Sequence, residues 1–314
     1  MTLTRRHFLL GILAATTLAG LSCTQTGRQP RIGLALGGGG AKGLAHIVML
    51  EVLDELGIQP WRIAGTSIGA IVGALYAGGR SGREIRAIVH ELVGRDGETL
   101  AGFFGRANAL RWLDFIDPAL GSGGLLSSDD FMEFLHEVLG LDRFEQLRFP
   151  LRVVAADLWS GDTVVLDEGP LYPALQASMA VPGIFPPVRL NGRLLVDGGV
   201  VNPLPFDLLM DDCDLVVAID VAGNRSHEDG ENPSFFNVLF HSFHNMERAI
   251  LREKLQRERP HIYIRPDIND VRLLEFYKAG QVFSEAQPAR AQLKRQLERA
   301  LRRGQPAAGC SRHR

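Results

Sequence analysis

The sequence predicts an α/β protein of three layers, with helices packed on both faces of a central, mainly parallel (mixed) sheet. Three observations lead there. Short apolar runs that end in glycine turns are each followed by a stretch with apolar residues at helical spacing. Two of these strand–turn–helix units come in succession after residue 30, and strands joined through a helix run parallel. The 314 residues are 46% hydrophobic and 22% charged, enough apolar mass to close a core as one large domain or two small ones.

Taken in order, Arg31 to Leu36 is an apolar strand running into Gly37-Gly38-Gly39-Gly40, and Ala41 to Leu56 carries the first helical pattern. Trp61 to Thr66 reads as a second strand, Ser67 as a turn, and Ile68 to Ala77 as a helix of small residues closed by Gly78-Gly79. Residues 81–145 read as a helical insert with glycine-rich breaks. Leu151 to Leu158 pairs with Thr163 to Leu166 around Ser160-Gly161-Asp162, and Val188 to Leu190 pairs with Leu194 to Val196 across Asn191-Gly192, a strong hairpin signal that delivers Asp197 at a strand end. Leu215 to Val221 is a further buried strand. A long helical pattern near 234–257, a short strand from His261 to Ile264 and a charged helix from about 284 to 303 complete the pattern. These elements divide into a signal and linker over 1–30, a main domain over 31–225, a helical extension over 226–303 packing on that domain, and a disordered tail over 304–314.

The balance of 34 basic and 36 acidic residues leaves a net charge of −2, with both signs interspersed, so a phosphate backbone is not the expected partner and nucleic acid is excluded. Thr4-Arg5-Arg6-His7-Phe8-Leu9 precedes an uncharged apolar stretch to Leu21, an export signal too short to span a bilayer comfortably. The paired arginines resemble signals that carry folded proteins across the bacterial inner membrane, and Leu21-Ser22-Cys23 resembles a lipoprotein cleavage site, with Gly20 where Leu is usual. The expectation is an exported bacterial envelope protein, lipidated at Cys23 and held at a membrane surface facing the periplasm or exterior; cleavage without lipidation is the alternative. Cys213 and Cys310 alone remain, so packing and not a disulfide framework holds the fold. Cys213 precedes an apolar run and reads as buried; Cys310 falls in the polar tail.

Gly65-Thr66-Ser67-Ile68-Gly69 is a G-x-S-x-G string between a strand and a helix, the context in which a nucleophilic serine is thrown clear of the backbone by a sharp turn. An ordinary Ser N-cap after a glycine turn gives the same string. Gly38-Gly39-Gly40-Ala41-Lys42-Gly43 also ends a strand and opens a helix, exposing unpaired N–H groups that suit a negative oxygen. An oxyanion hole is one use of them and a nucleotide phosphate the other. Against nucleotide, the loop lacks the Gly-Lys-Ser or Gly-Lys-Thr of a phosphate-binding loop, and the second strand ends without a ribose-binding acid. Asp197-Gly198-Gly199 places a carboxylate at a turn able to face Ser67, although Asp-Gly alone is commonly only a turn.

The glycine loop, the G-x-S-x-G string, Ala177-Ser178-Met179-Ala180-Val181-Pro182 and the distant Asp197-Gly198-Gly199, in that order, resemble the patatin-like phospholipase family, and the Gly-Thr-Ser-Ile-Gly form favours its bacterial, neuropathy-target-esterase-like branch. Many members carry Asp where this chain has Gly37. The resemblance covers roughly residues 31–222. It implies a lipid ester hydrolase with a Ser-Asp dyad: Ser67 as nucleophile, Asp197 as general base, Gly38, Gly39 and Gly40 as oxyanion hole, and Lys42, Gly43, Gly65, Gly69, Gly198 and Gly199 in support. It implies a phospholipid or other lipid ester as substrate, without metal or organic cofactor. A Ser-His-Asp esterase drawing on His241, His244 or His261 is the other catalytic reading, and a non-catalytic lipid or nucleotide binder the other class. His241, His244 and Glu247 fall at helical spacing and read as helix surface rather than a metal face, and His46 as a packing residue. Phe103, Phe104, Trp112, Phe115 and Ile116, with Phe235, Phe236, Phe240 and Phe243, form aromatic clusters that read either as core or as an interfacial lid.

Overall fold

Eight short strands form one sheet in the computed structural model, which describes residues 30–93, 128–223 and 235–303. They are β1 (Ile32–Leu36), β2 (Arg62–Thr66), β3 (Leu151–Asp157), β4 (Thr163–Leu166), β5 (Val188–Leu190), β6 (Arg193–Asp197), β7 (Leu215–Ile219) and β8 (Ile262–Ile264). The order is β5-β6-β3-β2-β1-β7-β8, with β4 also on β3. β3, β2, β1, β7 and β8 run parallel, whereas β4, β5 and β6 enter antiparallel, so the sheet is mixed as expected.

Alternation along the strands sorts the helices. Leu34 and Leu36 of β1 with Leu215, Val217 and Ile219 of β7 face a core shared with α1 (Ala45–Glu55), α2 (Ile68–Ala77), α3 (Gly82–Val93), α4 (Asp129–Leu139), α5 (Leu171–Ser178), α8 (Ala279–Glu285) and α9 (Gln287–Arg303). Each fully buried Leu or Ile in that layer contributes about 1.5–3 kcal/mol of burial. The opposite face is built from small residues, Ala35, Ala64 and Ala218, and is covered by the short α6 (Asp207–Met210) and the long α7 (Phe235–Arg257) through Leu209 and Leu251. Cys213 is buried on this side, as expected; a methyl on Gly33 would come within 2.8 Å of its sulfur.

The predicted helix over Ala41 to Leu56 begins instead as a 3-10 turn, Gly40–Leu44, before α1. Tertiary contact sets this start: the Ala41 amide donates to Leu273 O at 2.8 Å. Both predicted hairpins form, and Asn191 and Gly192 both adopt positive φ, 50° and 77°, as a two-residue turn of this hand requires. Residues 1–29, 94–127 and 304–314 lie outside the described residues, and with them the export signal, Cys23, Cys310 and the first aromatic cluster. In the second cluster, Phe240 packs on the core, and the side chains of Phe235 and Phe236 fall outside the description.

The register of β3 brings the two ends that matter together. Val154 is paired with Thr66 of β2 on one side and Val165 of β4 on the other; the next residue, Ala155, is paired with Val164 of β4 and Asp197 of β6. β4 therefore holds one edge throughout, while β2 and β6 share the other edge end to end. The last residue of β2 and the last of β6 meet across a single step of β3, which sets Ser67 beside Asp197.

Candidate active site

Ser67 follows β2 and opens α2 with φ 55° and ψ −126°, a backbone conformation that non-glycine residues adopt only under constraint, at about 1–3 kcal/mol. Ser178 supplies the constraint. Its buried hydroxyl accepts from the Ser67 amide at 2.9 Å and donates to Val154 O at 2.6 Å, tying the turn to the residue of β3 where β2 and β6 meet. The Ser67 carbonyl accepts from the Ala70 amide at 2.8 Å, yet its hydroxyl makes no capping hydrogen bond. The ordinary N-cap reading thus fails: the helix begins on the serine without using its side chain. Gly69 has to be glycine because α2 lies against the end of β1, where a methyl would stand 2.2 Å from Leu36 O.

Asp197 is 2% exposed at the end of β6. Its Oδ1 accepts from the Gly199 amide at 2.7 Å, and Oδ2 is buried with no hydrogen bond of normal geometry. Burial pushes its carboxyl up from 3.8 to about 7; the Ser67 hydroxyl opposes the rise, the Glu247 charge adds to it, and the Gly199 amide opposes it. The Ser67 hydroxyl is thus close enough to the Asp197 carboxyl to lower its pKa, but no hydrogen bond of normal geometry joins the two.

The glycine loop lies over the same spot. A methyl on Gly38 would stand 3.5 Å from the Ser67 Cβ. The three glycines expected as donors differ in what is left to them: the Gly38 amide donates to Pro203 O at 2.9 Å, whereas those of Gly39 and Gly40 meet no backbone acceptor among the described residues. Of the three expected donors only Gly39 and Gly40 are therefore open, because the chain after Asp197 passes close enough for Pro203 O to take the Gly38 amide. Gly40 has φ 56°, and a side chain there would strike Leu273 O at 2.3 Å. Beneath the loop, His46 Nε2 lies 2.8 Å from Gly37 O. A carbonyl only accepts, so Nε2 carries the proton, and burial holds the ring neutral by driving its pKa down to about 4. His46 is therefore more than packing: it props Gly37, where the glycine loop begins.

Lys42 Nζ donates to Ala222 O at 3.1 Å, holding the loop to the end of β7, and Gly43 is filled by Ile68, whose Cγ2 would lie 2.2 Å from an added methyl. Thr66 Oγ1 donates to Asn202 O at 2.8 Å. Lys254 of α7 donates to Asn202 Oδ1 at 2.5 Å and Leu204 O at 2.9 Å and also meets Asp207, so α7 clamps the segment that follows Asp197.

No histidine of the alternative triad bonds Asp197. His261 Nδ1 accepts from the Val216 amide at 3.0 Å, at the end of β7 away from Ser67, and neither Asp197 oxygen bonds to a histidine. The His244 and Glu247 side chains, read from sequence as helix surface, are only 17% and 14% exposed and lie 3.4 Å apart. The correction has a simple origin: an i, i+3 polar pair looks solvated in sequence, but here it faces the Asp197 turn. Among the described residues no group of three His, Cys, Asp or Glu is placed to hold a metal ion, and no helix is long and apolar enough to cross a membrane. Ser178 was visible within the Ala177–Pro182 string without a role; Glu247 had no signal that tied it to Asp197.

Residues 34–210 match the model for "Patatin-like phospholipase". An uncharacterised NTE family protein of Mycobacterium tuberculosis is 35% identical over 199 residues, covering 63% of this chain and 51% of that protein. A Saccharomyces cerevisiae protein named lysophospholipase NTE1 is 27% identical over 275 residues, 80% of this chain but 16% of that protein, so the likeness is to one part of a longer chain. Among solved structures, VipD from Legionella pneumophila aligns over 85% of this chain and 67% of its own at a TM-score of 0.51 and 15% identity, a likeness of fold. With the family model matched over more than half of this chain, the chain belongs to the patatin-like phospholipase family.

Proposed function

We propose that this protein is a serine acyl hydrolase of the phospholipase or lysophospholipase type, cleaving lipid carboxylic esters through a Ser67-Asp197 dyad. The observation that carries the reading is the Ser67 hydroxyl, held on a strained turn, unused by its helix and close enough to act on the buried Asp197 carboxyl, whose second oxygen lacks a hydrogen-bond partner. In the first step Asp197 Oδ2 takes the hydroxyl proton as Ser67 Oγ attacks the ester carbonyl. The developing oxyanion is received by the Gly39 and Gly40 amides, with Gly38 holding the loop in place; loss of one such donor is worth about 3 kcal/mol in a hydrolase of this chemistry. The protonated Asp197 then returns its proton to the departing alcohol, and a water activated by the same carboxylate releases the acid from the acyl-enzyme.

The dyad needs no histidine because burial already gives the carboxylate a pKa of about 7, near working pH. The family and the printed name of the yeast relative support a lipid ester as substrate. Export, with lipidation at Cys23 and residence at a membrane surface, belongs to the same proposal and rests on the N-terminal sequence alone. The test is fluorophosphonate labelling of wild type, Ser67→Ala and Asp197→Asn, followed by fatty acid release from phospholipid and lysophospholipid vesicles. Labelling of wild type at Ser67, lost in both folded variants, is the expected result; folded wild type that neither labels nor releases fatty acid overturns it.

A further inference from the structure

Gly199 poses a question that backbone conformation does not answer. It does not adopt a positive φ, so nothing in its torsions demands glycine. Space does: a methyl there would lie 2.2 Å from Glu247 Oε1 and 2.9 Å from Asp197 Oδ1. The second glycine of the Asp-Gly-Gly turn is thus the gap that a carboxyl from α7 occupies beside the base, and the amide of that same glycine is the one holding Asp197 Oδ1.

Glu247 is charged or neutral according to what surrounds it. His244, one turn earlier on α7, places Nδ1 3.4 Å from Oε2. Two carboxyls act on Glu247 or feel it electrostatically: Asp197 at the end of β6, and Asp220 just after β7, itself bonded by the Tyr263 hydroxyl at 2.5 Å and approached by Arg265 Nε at 3.8 Å. Burial first, and the Asp220 charge after it, together raise the Glu247 carboxyl to about 7. A negative charge on Glu247 in turn makes Asp197 hold its proton more firmly.

We propose that Glu247 is a positioning residue for Asp197: its carboxyl, lodged against the Gly199 backbone, sets the field at the base and thereby the pH range in which the base is free. The inference rests on Asp197 acting as general base. An ionised Glu247 strengthens that base and moves the acid limb of activity upward; a neutral group in its place does the reverse.

The experiment uses the full-length protein and follows the rate of fluorophosphonate labelling at Ser67 from pH 4.5 to 9 in wild type, Glu247→Gln and Glu247→Met. Glutamine copies the shape of the protonated acid; methionine fills the volume without hydrogen bonds. The acid limb is expected to move down by about one pH unit in both, with a plateau rate a few-fold lower because the base is weaker. A residue that only packs would alter thermal stability or plateau rate and leave the midpoint in place. If either variant folds and keeps the wild-type midpoint, the role assigned to Glu247 is wrong; if wild type fails to label at any pH, the dyad itself falls, and Glu247's role with it.

Discussion

Replacing Ser178 with alanine removes a side chain that touches no substrate atom, yet the geometry gives the change a defined size. One hydroxyl satisfies two buried backbone groups, the Ser67 amide at 2.9 Å and Val154 O at 2.6 Å, and Ser178 is fully buried. Leaving a buried donor or acceptor unmade costs about 1–3 kcal/mol each, so about 2–6 kcal/mol of stability is lost. At about 2–4 °C per kcal/mol, the scale for a large domain, that is a fall of roughly 4–24 °C in Tm. The second consequence is local: Ser67 holds φ 55° only because its surroundings enforce it, and without the Ser178 bond the turn relaxes and the hydroxyl leaves Asp197. Fluorophosphonate labelling is expected to slow by about 10–100-fold while circular dichroism stays native, since small misplacements of a nucleophile are costly. Scanning calorimetry and labelling kinetics on the same preparation decide it. A variant with unchanged Tm and labelling within twofold of wild type would refute the view that Ser178 holds the nucleophile turn.

Gly40→Ala should abolish labelling, by at least about 100-fold, because its methyl collides with Leu273 O at 2.3 Å and the residue has φ 56°; a labelling time course on folded protein checks it. Asp197→Asn should stabilise the fold relative to wild type at pH 8 and not at pH 4. The wild-type carboxyl, raised from 3.8 to about 7, contributes stability that is complete below about pH 4 and lost as pH climbs through 7, a difference of at most about 4 kcal/mol by denaturant titration at the two pH values. Lys254→Met should destabilise by about 2 kcal/mol, less than a fully buried pair because Asp207 is partly exposed, and should slow labelling by loosening the segment after Asp197; urea unfolding and labelling read the two effects.

What the sequence disclosed about this site was local, and what it hid was pairing. The strand, glycine turn and helix around Ser67 are legible because each is written in consecutive residues, and Asn191-Gly192 fixes its hairpin by the same logic. That β2 and β6 share one edge of β3 is not legible, because it depends on where β4 covers the other edge, and no local pattern states that. The loss of Gly38 as an open donor has the same origin, since its acceptor, Pro203, is 165 positions away. Glu247 was hidden for a different reason: a charged residue on a helix is solvated by default, and only the missing side chain of Gly199 makes room for it inside.

The small-residue face of the sheet gives these separate facts a common cause. Ala35, Ala64 and Ala218 project little from the sheet, so the short α6 packs on β1 and β2 there, while α7 adds Leu251 to the same cluster and is secured by Lys254. From there α7 lies against the turn that follows Asp197, where Glu247 comes to Gly199. Burial is the largest cause of the raised Asp197 pKa, so in the proposed dyad the strength of the base is set by a packing decision made at alanines on the sheet, some distance along the chain from the chemistry. Enlarging one of them, for instance Ala35→Val, would push α7 outward, rehydrate the carboxylate and lower its pKa. The expected result is an acid limb displaced to lower pH together with a slower plateau, read by the same labelling profile; an unmoved limb in a folded Ala35→Val variant would show that the depth of the base is fixed by the Asp197 turn alone.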